Sequence, residues 1–295
     1  MAEWPPVVVG VDASDGTTVA LEWAAEDART RGAPLRLVHA YRANGTYPWF
    51  MSRAGGPEAL NSSALAQGAA DLVKSLVAKV QSGHPELAVA GVAVDGAPVA
   101  TLAGESAVAA VVVLGSRRLS AVGSVVAGSL GCGVGAHARG PVVIVRGPAG
   151  DPAERAAVVV GVDGSPAAEA ALDYAFDHAD RYRVPLRAVL CWSPETFATM
   201  RWRPGPRPPE KAERWLSEAT AGWTQRYPDV TVQHIVRRDH PAAGLVAEAI
   251  DQHLLVVGTR ARHPIPATRL GSVAQGVLHH ATCPVAVVPL HTASR

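Results

Sequence analysis

The sequence is a duplication, and that bounds every fold it can take. Near its end, residues 254–257 run without a polar side chain into Gly258-Thr259-Arg260-Ala261, and nine residues later comes Gly271-Ser272-Val273. The same pattern occurs earlier, as residues 111–114, then Gly115-Ser116-Arg117-Arg118, nine residues, and Gly128-Ser129. The differences 258 − 115, 271 − 128 and 284 − 141 (Pro141 and Pro284) all equal 143. Upstream, Val7-Val8-Val9-Gly10-Val11-Asp12 returns as Val158-Val159-Val160-Gly161-Val162-Asp163, with 163 − 12 = 151. The first half therefore carries extra loop length between these two landmarks.

Each half alternates short, continuously apolar runs with longer segments of helical spacing. In the first half the pattern predicts strands over 7–12, 35–40, 87–94, 111–115 and 141–145, with helices over 15–31, 58–81 and 99–107 and another opening at Gly128-Ser129. In the second it predicts strands over 158–163, 186–192, 230–236, 254–258 and 284–288, with helices over 167–181, 210–226 and 242–252 and another from Gly271. Apolar strands alternating with helices give an α/β fold whose parallel sheet is covered on both faces. Pro141 and Pro284 open their strands, where a missing N–H does least harm. Glycines and prolines over 147–154 mark the boundary between the halves.

A chain of 295 residues suits two domains of about 150 residues each. With 48% apolar and 18% charged residues it has ordinary globular composition. A net charge of +1 argues against nucleic-acid or anionic-membrane partners, which call for a basic surplus. Cys132, Cys191 and Cys283 have neither metal nor disulfide spacing, and the N-terminus has no leader-like basic and apolar run. The expected location is a reducing cytoplasm.

A strand ending Gly-Val-Asp-x-Ser, followed later by a strand-end glycine, a nine-residue gap and Gly-Ser, resembles the universal stress protein family in its tandem two-domain form. The resemblance covers nearly the whole chain. It implies two doubly wound, Rossmann-like domains at 1–146 and 156–295, joined by a linker at 147–155, with strand order 3-2-1-4-5 and pseudo-two-fold pairing through the fifth strands. It implies ATP as ligand, with Mg possible and AMP or ADP as alternatives, held where the strand order reverses. Carried over residue by residue, the site takes Gly10, Asp12, Ala40, Gly115, Arg117, Arg118, Gly128 and Ser129 in the first half. In the second it takes Gly161, Asp163, Trp192, Gly258, Thr259, Arg260, Ala261, Gly271, Ser272 and Val273. The family motif has a second glycine where this chain has Arg118 and Ala261. The implied function is a nucleotide-dependent regulatory protein without significant turnover, a homo-oligomer with an unidentified protein partner; the alternatives are a scaffold that has lost its nucleotide and a slow adenine-nucleotide hydrolase.

Read on their own, several of these residues have a second explanation. Asp12 and Asp163 can accept from a ribose or cap the following helix. Gly10 and Gly161 can admit a ligand or mark a bulge. Ser129 and Ser272 can donate to phosphate or cap a helix. Arg260, Arg262 and Arg269 can neutralise phosphate or sit solvated. His39, His137, His279 and His280 have no triad or metal spacing and read as structural. Neither strand-four loop, 116–127 or 259–270, contains an Asp or Glu to serve as base or metal ligand. Gly131 and Gly133 predict a loose helix start in the first half, which makes the second half the tighter expected binder.

Overall fold

The computed structural model describes residues 4–42, 62–116, 129–146, 157–192, 208–259 and 270–290. The first half runs β1 (Val7–Gly10), α1 (Asp15–Arg31), β2 (Leu35–Tyr41), α2 (Ser62–Gly83), β3 (Val89–Asp95), α3 (Pro98–Glu105), β4 (Val111–Gly115), α4 (Ser129–His137) and β5 (Val142–Val145). The second runs β6 (Val158–Gly161), α5 (Pro166–Tyr182), β7 (Leu186–Trp192), α6 (Pro208–Arg226), β8 (Val232–Arg238), α7 (Pro241–Glu248), β9 (Leu254–Thr259), α8 (Ser272–His280) and β10 (Val285–Pro289). The boundary segment expected at 147–155 lies outside the described residues.

The ten strands among the described residues join one sheet, in the order β3-β2-β1-β4-β5-β10-β9-β6-β7-β8. Within each half the strands are parallel and follow the order expected from the family resemblance, so strand direction reverses only at the junction. There β5 and β10 pair antiparallel, with Val143 opposite Ala286. These are equivalent positions of the repeat, because 286 − 143 = 143. The pseudo-two-fold axis therefore passes between them.

Successive strand residues face opposite sides of a sheet, and the two apolar layers follow from that alternation. Val7, Val9, Val158 and Val160 face the side covered by α1, α2, α5 and α6. Val8, Val112, Val159 and Leu255 face the side covered by α3, α4, α7 and α8. Both layers run continuously across the junction. Arg146, almost fully buried at the end of β5, also crosses it, donating to the carbonyls of Leu278 and Ala281 at the C-terminal end of α8. A cation there satisfies carbonyls the helix leaves orphaned.

The glycine run of α4 sits against neighbouring elements. That helix spans nine residues, as α8 does. A Cβ on Gly133 would lie 2.9 Å from Val99 Cγ2, one on Gly131 3.1 Å from Ile144 Cγ1, and one on Gly135 3.3 Å from Leu270 Cδ1. The glycines bring α4 close to its neighbours, and packing contributes what propensity withholds.

Candidate functional site

The strand order reverses between β1 and β4, and a crevice opens at their C-terminal ends. In the first half it is a cavity of about 490 Å³, lined by Gly10, Val11, Asp12, Ser14 and Thr17 from β1 and the start of α1. Val38, His39, Ala40 and Arg42 close it along β2; Ala97, Pro98, Val99 and Leu102 face them around the start of α3. Leu114, Gly115, Leu130, Gly131 and Ile144 complete the wall. The volume lies within the roughly 300–1,000 Å³ of small-molecule sites. One wall is apolar, and the β1 end is polar.

Asp12 is held as an oriented acceptor. Its Oδ1 receives the Ser14 main-chain N–H at 2.9 Å, the Ser14 hydroxyl at 2.5 Å and the Thr17 hydroxyl at 2.9 Å. The Thr17 hydroxyl also accepts the main-chain N–H of Asp12 at 2.9 Å, so one buried side chain fixes both backbone and carboxylate. This arrangement has a cost. Ser14 is the N-cap of α1 with extended φ −90° and ψ 160°, yet its side chain makes no cap hydrogen bond. A Ser cap contributes about 1 kcal/mol to a helix.

The equivalent turn of the second half does the opposite. Ser165 has nearly the same backbone, φ −83° and ψ 156°, and accepts the Ala168 N–H as a true cap. Asp163 is exposed and accepts one hydrogen bond among the described residues, from the Ser165 N–H at 2.9 Å. Ala168 stands where the first half has Thr17 (168 − 17 = 151) and has no hydroxyl. Gly164 takes φ +73°, and a Cβ there would lie 2.8 Å from the Trp215 ring.

The glycines at the strand ends have packing explanations. A Cβ on Gly115 would lie 2.1 Å from the Gly16 carbonyl oxygen, and one on Gly258 2.1 Å from that of Ala167. Each lets the first turn of the helix after the half's first strand press on the end of its fourth. A Cβ on Gly10 would meet Leu114 at 2.7 Å and Leu102 at 3.1 Å, and one on Gly161 would meet Leu245 at 2.9 Å. Leucine side chains of the fold lie against both glycines, and Gly10 also lines the cavity.

The remaining sequence candidates divide. Ala40 lines the cavity, but its repeat partner is Cys191 (191 − 40 = 151), with Trp192 one residue further along β7. Burial pushes the Cys191 thiol up to about 11, which keeps it protonated and unreactive. Trp192 instead carries the Arg238 guanidinium 5.3 Å over its ring. Thr259 donates to the Leu270 carbonyl at 3.0 Å, tying together the two ends of the segment 260–269. Gly271 takes φ +75° as the N-cap of α8, a conformation that favours glycine, and Ser272 and Val273 begin that helix. Ser129 begins α4. Arg117, Arg118, Gly128, Arg260, Ala261, Arg262 and Arg269 lie outside the described residues.

His39 and His137 bond main-chain carbonyls, of Val11 at 2.7 Å and Gly133 at 2.8 Å, and His39 also lines the cavity. Sequence reasoning missed Thr17, Arg42 and the Pro98–Leu102 wall. Thr17 was open to discovery, since a hydroxyl five residues after Asp12 has no counterpart five residues after Asp163. No group of three or more His, Cys, Asp or Glu among the described residues is placed to hold a metal ion. No helix among them is long and apolar enough to cross a membrane.

Two doubly wound α/β halves sharing one sheet, each with a topological switch point, define a tandem protein of the Rossmann-like class. The family model described as "Universal stress protein family" matches residues 3–146 and again 155–289, and the chain belongs to that family. A universal stress protein of Mycobacterium tuberculosis is 36% identical over 299 residues, covering 95% of this chain and 94% of the relative. One from Mycolicibacterium smegmatis is 35% identical over 294 residues, covering 96% of each. The crystal structure of a universal stress protein from Archaeoglobus fulgidus shares the fold, with a TM-score of 0.71 at 18% identity over 96% of each chain.

Proposed function

We propose that the protein binds an adenine nucleotide, ATP in preference to ADP or AMP, in the crevice at the ends of β1 and β4. Occupancy then biases its conformation or choice of partner, without significant turnover. The observation that carries this reading is the Asp12 carboxylate, held by three donors on the polar side of a cavity of about 490 Å³. A fixed acceptor suits the vicinal hydroxyls of a ribose. The apolar wall of Val38, Ala40, Pro98, Val99 and Leu102 suits a planar base. Arg42 adds a cation that can pair with phosphate. Turnover needs a positioned base or metal ligand. Among the described residues Asp12 is the one acidic residue lining this cavity, and its Oδ1 is already engaged by three donors.

The test is to purify the full chain gently, denature it and identify released small molecules by mass spectrometry. Adenine nucleotide near one equivalent or below supports the reading. A chain that releases none, and takes up none of ATP, ADP or AMP at millimolar concentration, refutes it. Steady hydrolysis at ordinary enzyme rates, about 1 per second or faster, would refute the non-enzymatic part.

A further inference from the structure

The duplication has left two switch points that begin from the same Asp-x-Ser text, and the structure uses that text in two ways. In the first half the Ser14 hydroxyl is given to Asp12 and the helix goes without its side-chain cap. In the second the Ser165 hydroxyl caps its helix and Asp163 keeps only a backbone donor among the described residues. The two serines have almost the same backbone angles, so local geometry does not force the difference. Thr17, which buries its hydroxyl against Asp12, has become Ala168. Around these changes the second half puts fold-stabilising contacts where the first keeps site contacts. A thiol replaces the methyl of Ala40, with Cys191 Sγ 2.6 Å from where a Cβ of Gly244 would lie. Trp215 packs on the turn that follows Asp163, which glycine at 164 with φ +73° permits.

From this asymmetry we infer that the first crevice alone is the nucleotide site of the chain, and that the second half has become its structural partner. The inference rests on the adenine-nucleotide reading and adds stoichiometry and location to it. A carboxylate already fixed in its binding orientation is not immobilised on binding, whereas Asp163 would have to be. It reverses the ranking expected from the glycines of α4, because those glycines are packing positions and leave that helix as long as α8.

Calorimetric titration of the full chain with ATP tests it, on protein first stripped of nucleotide. One binding event near a stoichiometry of one is expected. Asp12→Asn should weaken it at least tenfold, Thr17→Ala about tenfold, and Asp163→Asn less than twofold. Thermal unfolding of each variant shows whether it is folded, and Thr17→Ala carries the test if Asp12→Asn is not. Two events of similar affinity, or loss of binding in Asp163→Asn with Asp12→Asn silent, overturns the inference and leaves the nucleotide reading standing. A chain that binds no ATP, ADP or AMP overturns both.

Discussion

Gly32 and Arg183 occupy the same position in the two halves, since 183 − 32 = 151, and the glycine is the better suited of the two. Each ends a helix in the left-handed region, at φ 64° for Gly32 and φ 54° for Arg183. A side chain there costs roughly 1–2 kcal/mol. Arg183→Gly should therefore raise stability, by about 1 kcal/mol once the greater freedom of glycine in the unfolded chain is set against the relieved strain. Denaturant unfolding of the full chain reads this directly; a lower midpoint would contradict it. The same scale shows how far the sequence could be read. Asp12 and Asp163 stand in matching text, yet the first is oriented and the second is exposed. Their difference is set by a hydroxyl five residues on and by the rotation of a serine side chain, and only the first of these is written in the sequence.

At the scale of elements, the inner strands β1, β4, β5, β6 and β10 were legible because each is apolar throughout, as buried strands are, and β1, β4 and β6 end at a glycine. The purpose of those glycines was not legible. A strand-end glycine in a nucleotide motif suggests room for phosphate, but at Gly115 and Gly258 the atom in the way belongs to the main chain of the neighbouring helix. Gly258→Ala should accordingly destabilise the fold by about 1–3 kcal/mol, as overpacking does, with no ligand present. If it unfolds like the parent chain and loses only ligand, the packing explanation fails. The edges also differ. Strand β8 carries Arg237 and Arg238, charges that discourage further pairing, while β3 has only Asp95 at its end.

Across the whole molecule, duplication lets the two sides of the pseudo-two-fold axis differ. Asp27 of α1 and His178 of α5 are equivalent positions (178 − 27 = 151), both fully buried, with Asp27 Oδ1 and His178 Nδ1 3.9 Å apart. Two identical chains would set like against like here. Asp27 also pairs with Arg31 at 2.7 Å and Arg181 at 3.1 Å, and accepts from the Tyr182 hydroxyl at 3.4 Å. Removing the charge from one side of so buried a network costs about 3–5 kcal/mol, so Asp27→Asn should lower the unfolding midpoint strongly. A change below 1 kcal/mol, smaller than roughly a third of that, would mean this network contributes little to holding the junction. This pairing of unlike residues was outside what either half's sequence reveals, because it depends on which helices the shared sheet brings together.

The same network sets a pH dependence. Burial, then His253, Arg181 and Arg31 in turn, hold His178 well below its ordinary value of about 6.5, so it is neutral when folded. Its Nε2 lies 3.0 Å from His253 Nε2, with Tyr174, Tyr182 and Trp23 packed around the ring. Below pH about 6.5 the unfolded chain takes up a proton that folded His178 does not, so stability falls as pH falls. Unfolding measured between pH 7.5 and 5 should show that slope, and His178→Phe should flatten it; an unchanged slope would place the effect elsewhere.

The central claim, a nucleotide in the first crevice, is tested most directly by amide hydrogen exchange of the full chain, stripped of nucleotide, with and without ATP. The account predicts slower exchange on ATP addition in peptides covering residues 10–17 and 38–42, with residues 161–168 and 189–192 unchanged. Protection confined to the second pair of segments, or no protection anywhere at millimolar ATP, would contradict it.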